Sequence, residues 1–134
     1  MTRRLFWPAG SAAHGPCAVH VTPETAGWSF AGLRVLSLDP EGSIAFDTGP
    51  DEMLVLPLRG GCVVECDGRS VPLEGRADIW SRVSDFAYVP RDAQLRIVSR
   101  AGGSFALPTA RARARREPAY GAAEAVPVLS LIHI

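Results

Sequence analysis

The sequence predicts an all-β domain, and three observations carry that expectation. Short apolar or alternating runs follow one another, each closed by Gly, Pro or Asp. No segment sustains the 3.6-residue apolar period of a helix. Asp67-Gly68, set between two such runs, is the mark of a tight hairpin, because glycine accepts the positive φ of a type I′ turn. Regular short strands with turn residues between them specify an antiparallel sandwich or barrel.

Taken in order, residues 17–22 form the first run, and 28–38 a longer one that ends at Asp39-Pro40-Glu41-Gly42. Residues 43–47 and 52–58 follow, the latter stopping at Arg59-Gly60-Gly61. Then come 62–66, the Asp67-Gly68 turn, and 69–73, with 86–90, 94–100 and 104–107 completing the series. Beyond Leu107 the strict alternation of 109–116 predicts an extended strand with Arg111, Arg113 and Arg115 on one face. The Ala-rich stretch after Pro118 has weak helical periodicity, which Gly121 and Pro127 interrupt.

The 134 residues fit one domain, and a composition 47% hydrophobic and 21% charged supplies a real core. Fourteen arginines balance fourteen acidic residues, so the whole-chain field attracts neither nucleic acid nor an anionic membrane. Lysine is absent, which removes Schiff-base chemistry. Two arginines near the amino terminus precede no apolar run of signal-peptide length, and no stretch approaches the ~20 apolar residues of a membrane span. A cytoplasmic location is the expectation.

Candidate chemistry is sparse. Cys17, Cys62 and Cys66 match neither a disulfide framework nor a paired zinc motif. The spacing of Cys62 and Cys66 puts both on one strand face, as small apolar residues. His14 and His20 have no carboxylate or thiol in fixed register and are expected as ordinary surface histidines. Asp47, Asp51 and Glu52 are expected as a solvated hairpin tip rather than an acid/base pair. The arginine stripe is expected as a solvated edge, with phosphate or nucleic-acid binding the weaker reading. The glycine pairs Gly60-Gly61 and Gly102-Gly103 lack the helix start and Lys-Ser/Thr of a phosphate loop.

From Gly27-Trp28 onward the order of motifs resembles the amino-terminal half of the 5-deoxy-glucuronate isomerase family, two-cupin enzymes of bacterial myo-inositol breakdown. The likeness is carried by Gly32-Leu33-Arg34-Val35-Leu36, Phe46-Asp47-Thr48-Gly49, Val55-Leu56-Pro57-Leu58-Arg59-Gly60, Leu73-Glu74-Gly75-Arg76, Tyr88-Val89-Pro90 and Ala106-Leu107-Pro108. The resemblance implies a single cupin-type jelly roll over residues 1–108, and a linker over 109–128 towards a second cupin outside this chain. The tail 129–134, Leu-Ser-Leu-Ile-His-Ile, looks like a translated sequencing adapter, so the natural sequence is expected to end near Val128 and His133 to carry no role.

The resemblance also implies the reaction, an aldose-to-ketose isomerisation of a 5-deoxy sugar acid. Its partner and its divalent metal would be the second cupin and that cupin's ion. Mapped onto a metal-binding cupin, the region of the His pair holds Phe46, Asp47, Thr48 and Pro50 in this chain, the carboxylate position Met53 with Glu52 beside it, and the last His position Leu95. That set holds no ion. The expectation is therefore no catalytic, cofactor or metal residue in this chain, and an inactive half with a bare apolar face. The alternative is a non-enzymatic sugar-acid binder with Arg34, Arg59 or Arg96 as its carboxylate clamp.

Overall fold

A computed structural model describes residues 31–125 in full, together with the backbone of Cys17–Val21. Among the described residues, nine strands form two antiparallel sheets: β1 (Cys17–Val21), β2 (Ala31–Leu38), β3 (Gly42–Asp47), β4 (Asp51–Cys66), β5 (Arg69–Arg76), β6 (Phe86–Val89), β7 (Gln94–Ser99), β8 (Gly103–Arg111) and β9 (Ala119–Gly121). The first sheet runs β1-β2-β8-β4-β6-β9, and the second pairs β3 with β7, β7 with β4 and β4 with β5. Among the described residues the remaining element is one 3-10 turn, Ala123–Ala125. No helix among them is long and apolar enough to cross a membrane.

The two sheets share β4. Residues 52–58 and 62–66, expected as separate strands, are one strand of 16 residues. Met53, Val55 and Pro57 are buried in its first half, and Cys62, Val64 and Cys66 in its second. Buried positions thus change from odd to even, which a regular period-2 strand cannot do. Bulges between Pro57 and Arg59 and between Gly60 and Cys62 absorb the slip. Gly60 adopts φ 84° there, and a Cβ on it would meet the Gly102 carbonyl at 2.5 Å. The glycines that looked like a strand terminator form a corner instead.

The Asp67-Gly68 turn is as expected, with φ of 50° and 78° at its two central residues. The arginine strand is not. β8 ends at Arg111 and residues 112–118 are irregular, so Arg113 and Arg115 extend no strand face. Arg111 donates to Asp51 at 2.8 Å, and Arg115 pairs with Asp67. After Pro118, where the weak helical periodicity is interrupted by Gly121, the chain makes β9, an edge strand on β6.

Between the sheets lies one core: Leu36, Phe105 and Leu107, Met53 and Val55, and Ala87 and Val89 from the first sheet, against Cys62, Val64, Cys66, Leu73, Leu95 and Ile97 from the second. One end is closed by two turns bound to each other. Thr48, which is buried, donates its hydroxyl to the Pro90 carbonyl at 2.8 Å and accepts from the Ala93 N–H at 3.0 Å, while the Asp92 N–H reaches the Gly49 carbonyl at 2.7 Å.

Candidate functional site

The inner faces of the sheets are where a barrel of this kind would hold chemistry. Phe46 of β3 lies opposite Leu95 of β7, and Leu95 opposite Cys66 of β4. Met53 and Leu95 belong to the core, and Thr48 spends its hydroxyl on the Pro90–Ala93 turn. Pro50 is exposed. Phenylalanine and leucine offer no donor, and a thioether is a poor ligand for a hard divalent ion. These side chains do not fit a divalent ion, and no group of three His, Cys, Asp or Glu comes together among the described residues.

Cys62 and Cys66 point inward on one face, as their spacing predicts. Burial, with a smaller push from Asp85, raises the Cys62 thiol to about 12, and burial also raises Cys66. Both are core groups at neutral pH, poor nucleophiles because the thiolate is suppressed.

The three candidate clamp arginines do not converge. Arg34 alternates with buried Gly32 and Leu36 on the inner face of β2, and its guanidinium lies 4.6 Å from the Phe46 ring centroid. Arg59 is exposed at the β4 corner, and Arg96 is exposed on the outer side of β7, opposite Glu65. Arg96 borders an open groove of about 670 Å³ that also holds Glu65, Asp67, Arg69, Asp92 and Gln94. His20 lies on β1 in register with Arg34. His14 and His133 lie outside the described residues.

The acidic trio separates too. Asp47 is exposed, Asp51 pairs with Arg111, and Glu52, expected in solvent, accepts a 2.6 Å hydrogen bond from the Tyr88 hydroxyl. Burial and then this bond push Tyr88 up to about 12.

One polar centre carried no sequence signal. Asp85, 1% exposed, accepts from the Glu74 and Gly75 N–H groups at 2.8 and 2.9 Å, from Ser84 at 3.4 Å and from Tyr120 at 2.8 Å. Burial works to raise its carboxyl, but these donors outweigh it and hold the group below its ordinary value. Asp85 thereby ties β5 to β9 at the start of β6. Its bond lifts Tyr120 to about 12. With every carboxylate oxygen occupied, Asp85 is a structural anchor.

The outer faces differ. On the first sheet, Val35, Ala106 and Leu56 form one apolar row across three strands, and Leu33 opposite Pro108 begins another. Leu54, opposite Tyr88, is 37% exposed. A cleft of about 280 Å³ opens there between Leu54, Tyr88, Pro108 and Ala110, with Glu52 at its rim.

The fold is that of known cupins. The chain is similar to an IolB-like protein of Salmonella typhimurium, with 17% identity and a TM-score of 0.81 over 87% of this chain and 45% of that one. It is similar as well to a cupin protein of Bacteroides fragilis, with 16% identity and a TM-score of 0.54 over 84% and 90% of the two chains. An RmlC-like cupin of Shewanella frigidimarina follows, with 16% identity and a TM-score of 0.51 over 64% and 70%. A search of the curated proteins finds no match. The chain spans less than half the length of the IolB-like protein. The KduI/IolB family model matches residues 5–131, and the chain, one antiparallel cupin, belongs to that family.

Proposed function

We propose that this chain is the amino-terminal cupin of a 5-deoxy-glucuronate isomerase of myo-inositol breakdown, cytoplasmic and inactive on its own. The observation that carries this reading is that nearly the whole chain matches an isomerase family, while among the described residues no group of three His, Cys, Asp or Glu comes together. Aldose-to-ketose isomerisation removes a proton beside a carbonyl, holds the charge of the resulting enediolate and returns the proton to the neighbouring carbon. Among the described inner-face residues, Thr48 is engaged with the turns and Asp85 with its four donors. A divalent ion, where a second cupin holds one, polarises the substrate carbonyl. No residue of this chain is assigned a step of that transfer.

The role left to this half is mechanical. The apolar rows of the first sheet are the surface on which a second cupin packs, and β9 delivers the chain to the edge of that same sheet. From strand spacing and rise the rows span about 10 Å across three strands and lie about 7 Å apart along them, which suits the dry centre of an interface whose rim is polar.

The test is an intact copy of the locus. A reading frame that continues past Val128 into a His-x-His motif with later Glu and His, and a full-length product that isomerises 5-deoxy-glucuronate while the 134-residue chain does not, are the expected results. A natural stop codon at that point, or turnover by this chain alone, overturns the reading. The alternative, a sugar-acid binder without catalysis, loses its three-arginine clamp and keeps one support, the inward position of Arg34.

A further inference from the structure

Arg34 is an unusual occupant of its position. Its strand neighbours on the same face, Gly32 and Leu36, are buried, and across the barrel Ile44 and Phe46 pack against the core. A guanidinium brings five N–H donors and a permanent charge. Its recorded contact is the face of Phe46, at 4.6 Å, and among the described residues no carboxylate or carbonyl accepts from it. Stacking on a ring offsets part of the cost of removing the charge from water but satisfies none of the in-plane N–H groups. The stack also fixes the plane of the fork, leaving its edge for a ligand. Both residues are half-buried, so the stack lies at the barrel rim, within reach of solvent.

The location matters as much as the contact. Phe46, Met53 and Leu95 make the wall of the barrel here apolar. Arg34 puts a fixed cation against the first of them. The other arginines at this end of the barrel are occupied: Arg111 with Asp51 at 2.8 Å, and Arg91 with Asp92 at 2.9 Å and with the Ala112 carbonyl.

We propose that Arg34, held flat by Phe46, is a carboxylate-binding site at the barrel rim. The ligand class is a small monocarboxylate with a polar body, such as a uronate. One planar fork matches the two oxygens of a carboxylate, whereas a phosphate dianion calls for further donors and charge that this rim does not add. The site depends on the isomerase reading only for the choice of probe, and it stands if this chain proves to have no catalytic partner.

The experiment uses the full 134-residue chain, uniformly labelled with 15N, titrated with D-glucuronate, D-glucose and inorganic phosphate at constant ionic strength. The expected result is a saturable shift of the Arg34 Nε–H resonance with glucuronate, in roughly the millimolar range that a single fork supports, and no saturable shift with glucose or phosphate. Arg34→Gln should weaken glucuronate binding at least tenfold, and Arg34→Lys, which keeps the charge and loses the fork, should weaken it nearly as much. Arg59→Gln, at the exposed β4 corner, should bind as the parent does. An unchanged far-ultraviolet circular dichroism spectrum shows that each variant is folded. Absence of a saturable glucuronate shift, equal binding by Arg34→Gln, or equal binding of glucose each overturns the proposal. Saturable phosphate binding in place of glucuronate overturns the ligand class. Isomerase activity enters none of these readouts, so failure here is distinct from failure of the functional reading.

Discussion

The two sheets turn similar inner faces towards each other and different outer faces away. Outward from the second sheet stand Asp47, Gln94, Arg96, Glu65, Ser70 and Glu74, around one apolar row of Pro72, Val63 and Val98. Outward from the first stand Leu33, Val35, Leu54, Leu56, Ala106 and Pro108. A sheet wetted on one side alternates, while one covered on both sides is apolar throughout. The middle of the first sheet approaches the covered pattern, with Glu52, Ser37 and Ser104 at its margins, while the second keeps more of the wetted one.

Truncating the shared core is the largest perturbation and should not distinguish the sheets. Phe105→Ala on the first and Ile97→Ala on the second should each cost about 3–5 kcal/mol in chemical denaturation. A cost below ~1 kcal/mol for either would show that its sheet contributes little to the core. A charge on the outer faces should distinguish them. Ala106→Arg is expected to lower association with a second cupin, or self-association of this chain, on the order of a hundredfold by sedimentation, because a charge would be buried in the contact. Ala45→Arg, on the exposed side of β3, should change it less than about threefold. Equal effects would remove the distinction between the faces.

The pH dependence of the melting temperature separates the sheets further. Cys62, Tyr88 and Tyr120 all have folded values near 12, above their ordinary 9, 10 and 10, so folding favours their neutral forms. Their contribution is whole below pH 9 and is lost as pH climbs towards 12, first through Cys62 on the second sheet and then through the tyrosines on the first. Tyr88→Phe and Tyr120→Phe should flatten the loss above pH 10, and Cys62→Ala the loss that begins at 9. Asp85 has the opposite sign. Its lowered carboxyl stabilises the fold above its ordinary 3.8, and that contribution disappears as pH falls through the folded value. The smallest effect belongs to the exposed Arg69–Glu117 pair, 3.0 Å apart, where Arg69→Ala should cost less than about 0.5 kcal/mol.

Much of the fold was legible because strands of period 2 and their turns are local. The Asp67-Gly68 hairpin and the shared face of Cys62 and Cys66 needed only their own few residues. The corner of β4 was not legible, because Arg59-Gly60-Gly61 has the same composition whether it ends a strand or bends one. What decides is the close approach of Gly102, more than forty residues away. The arginine alternation misled for a related reason: Arg111 and Arg115 answer to Asp51 and Asp67, which sequence spacing does not bring near. Asp85 left no trace because its donors come from β5, from β9 and from Ser84 beside it, and nothing in the local sequence marks the convergence. Glu52 looked like part of a hairpin tip until Tyr88 was found across the strand pair. The inward side of Arg34 follows from the parity of β2, but Phe46 beneath it belongs to another sheet.

The 16-residue β4 holds β8 and β6 with its first half and β5 and β7 with its second. To peel either sheet open, the chain must release a strand that the other still grips. Partial opening between the sheets is therefore disfavoured, and amide exchange at Val55 and at Val64, on opposite sides of the corner, should follow one common, global event. In an assembly that loads the first sheet from outside, the same strand would carry that load into the second. A partner bound on one face would thereby restrain turns it never touches.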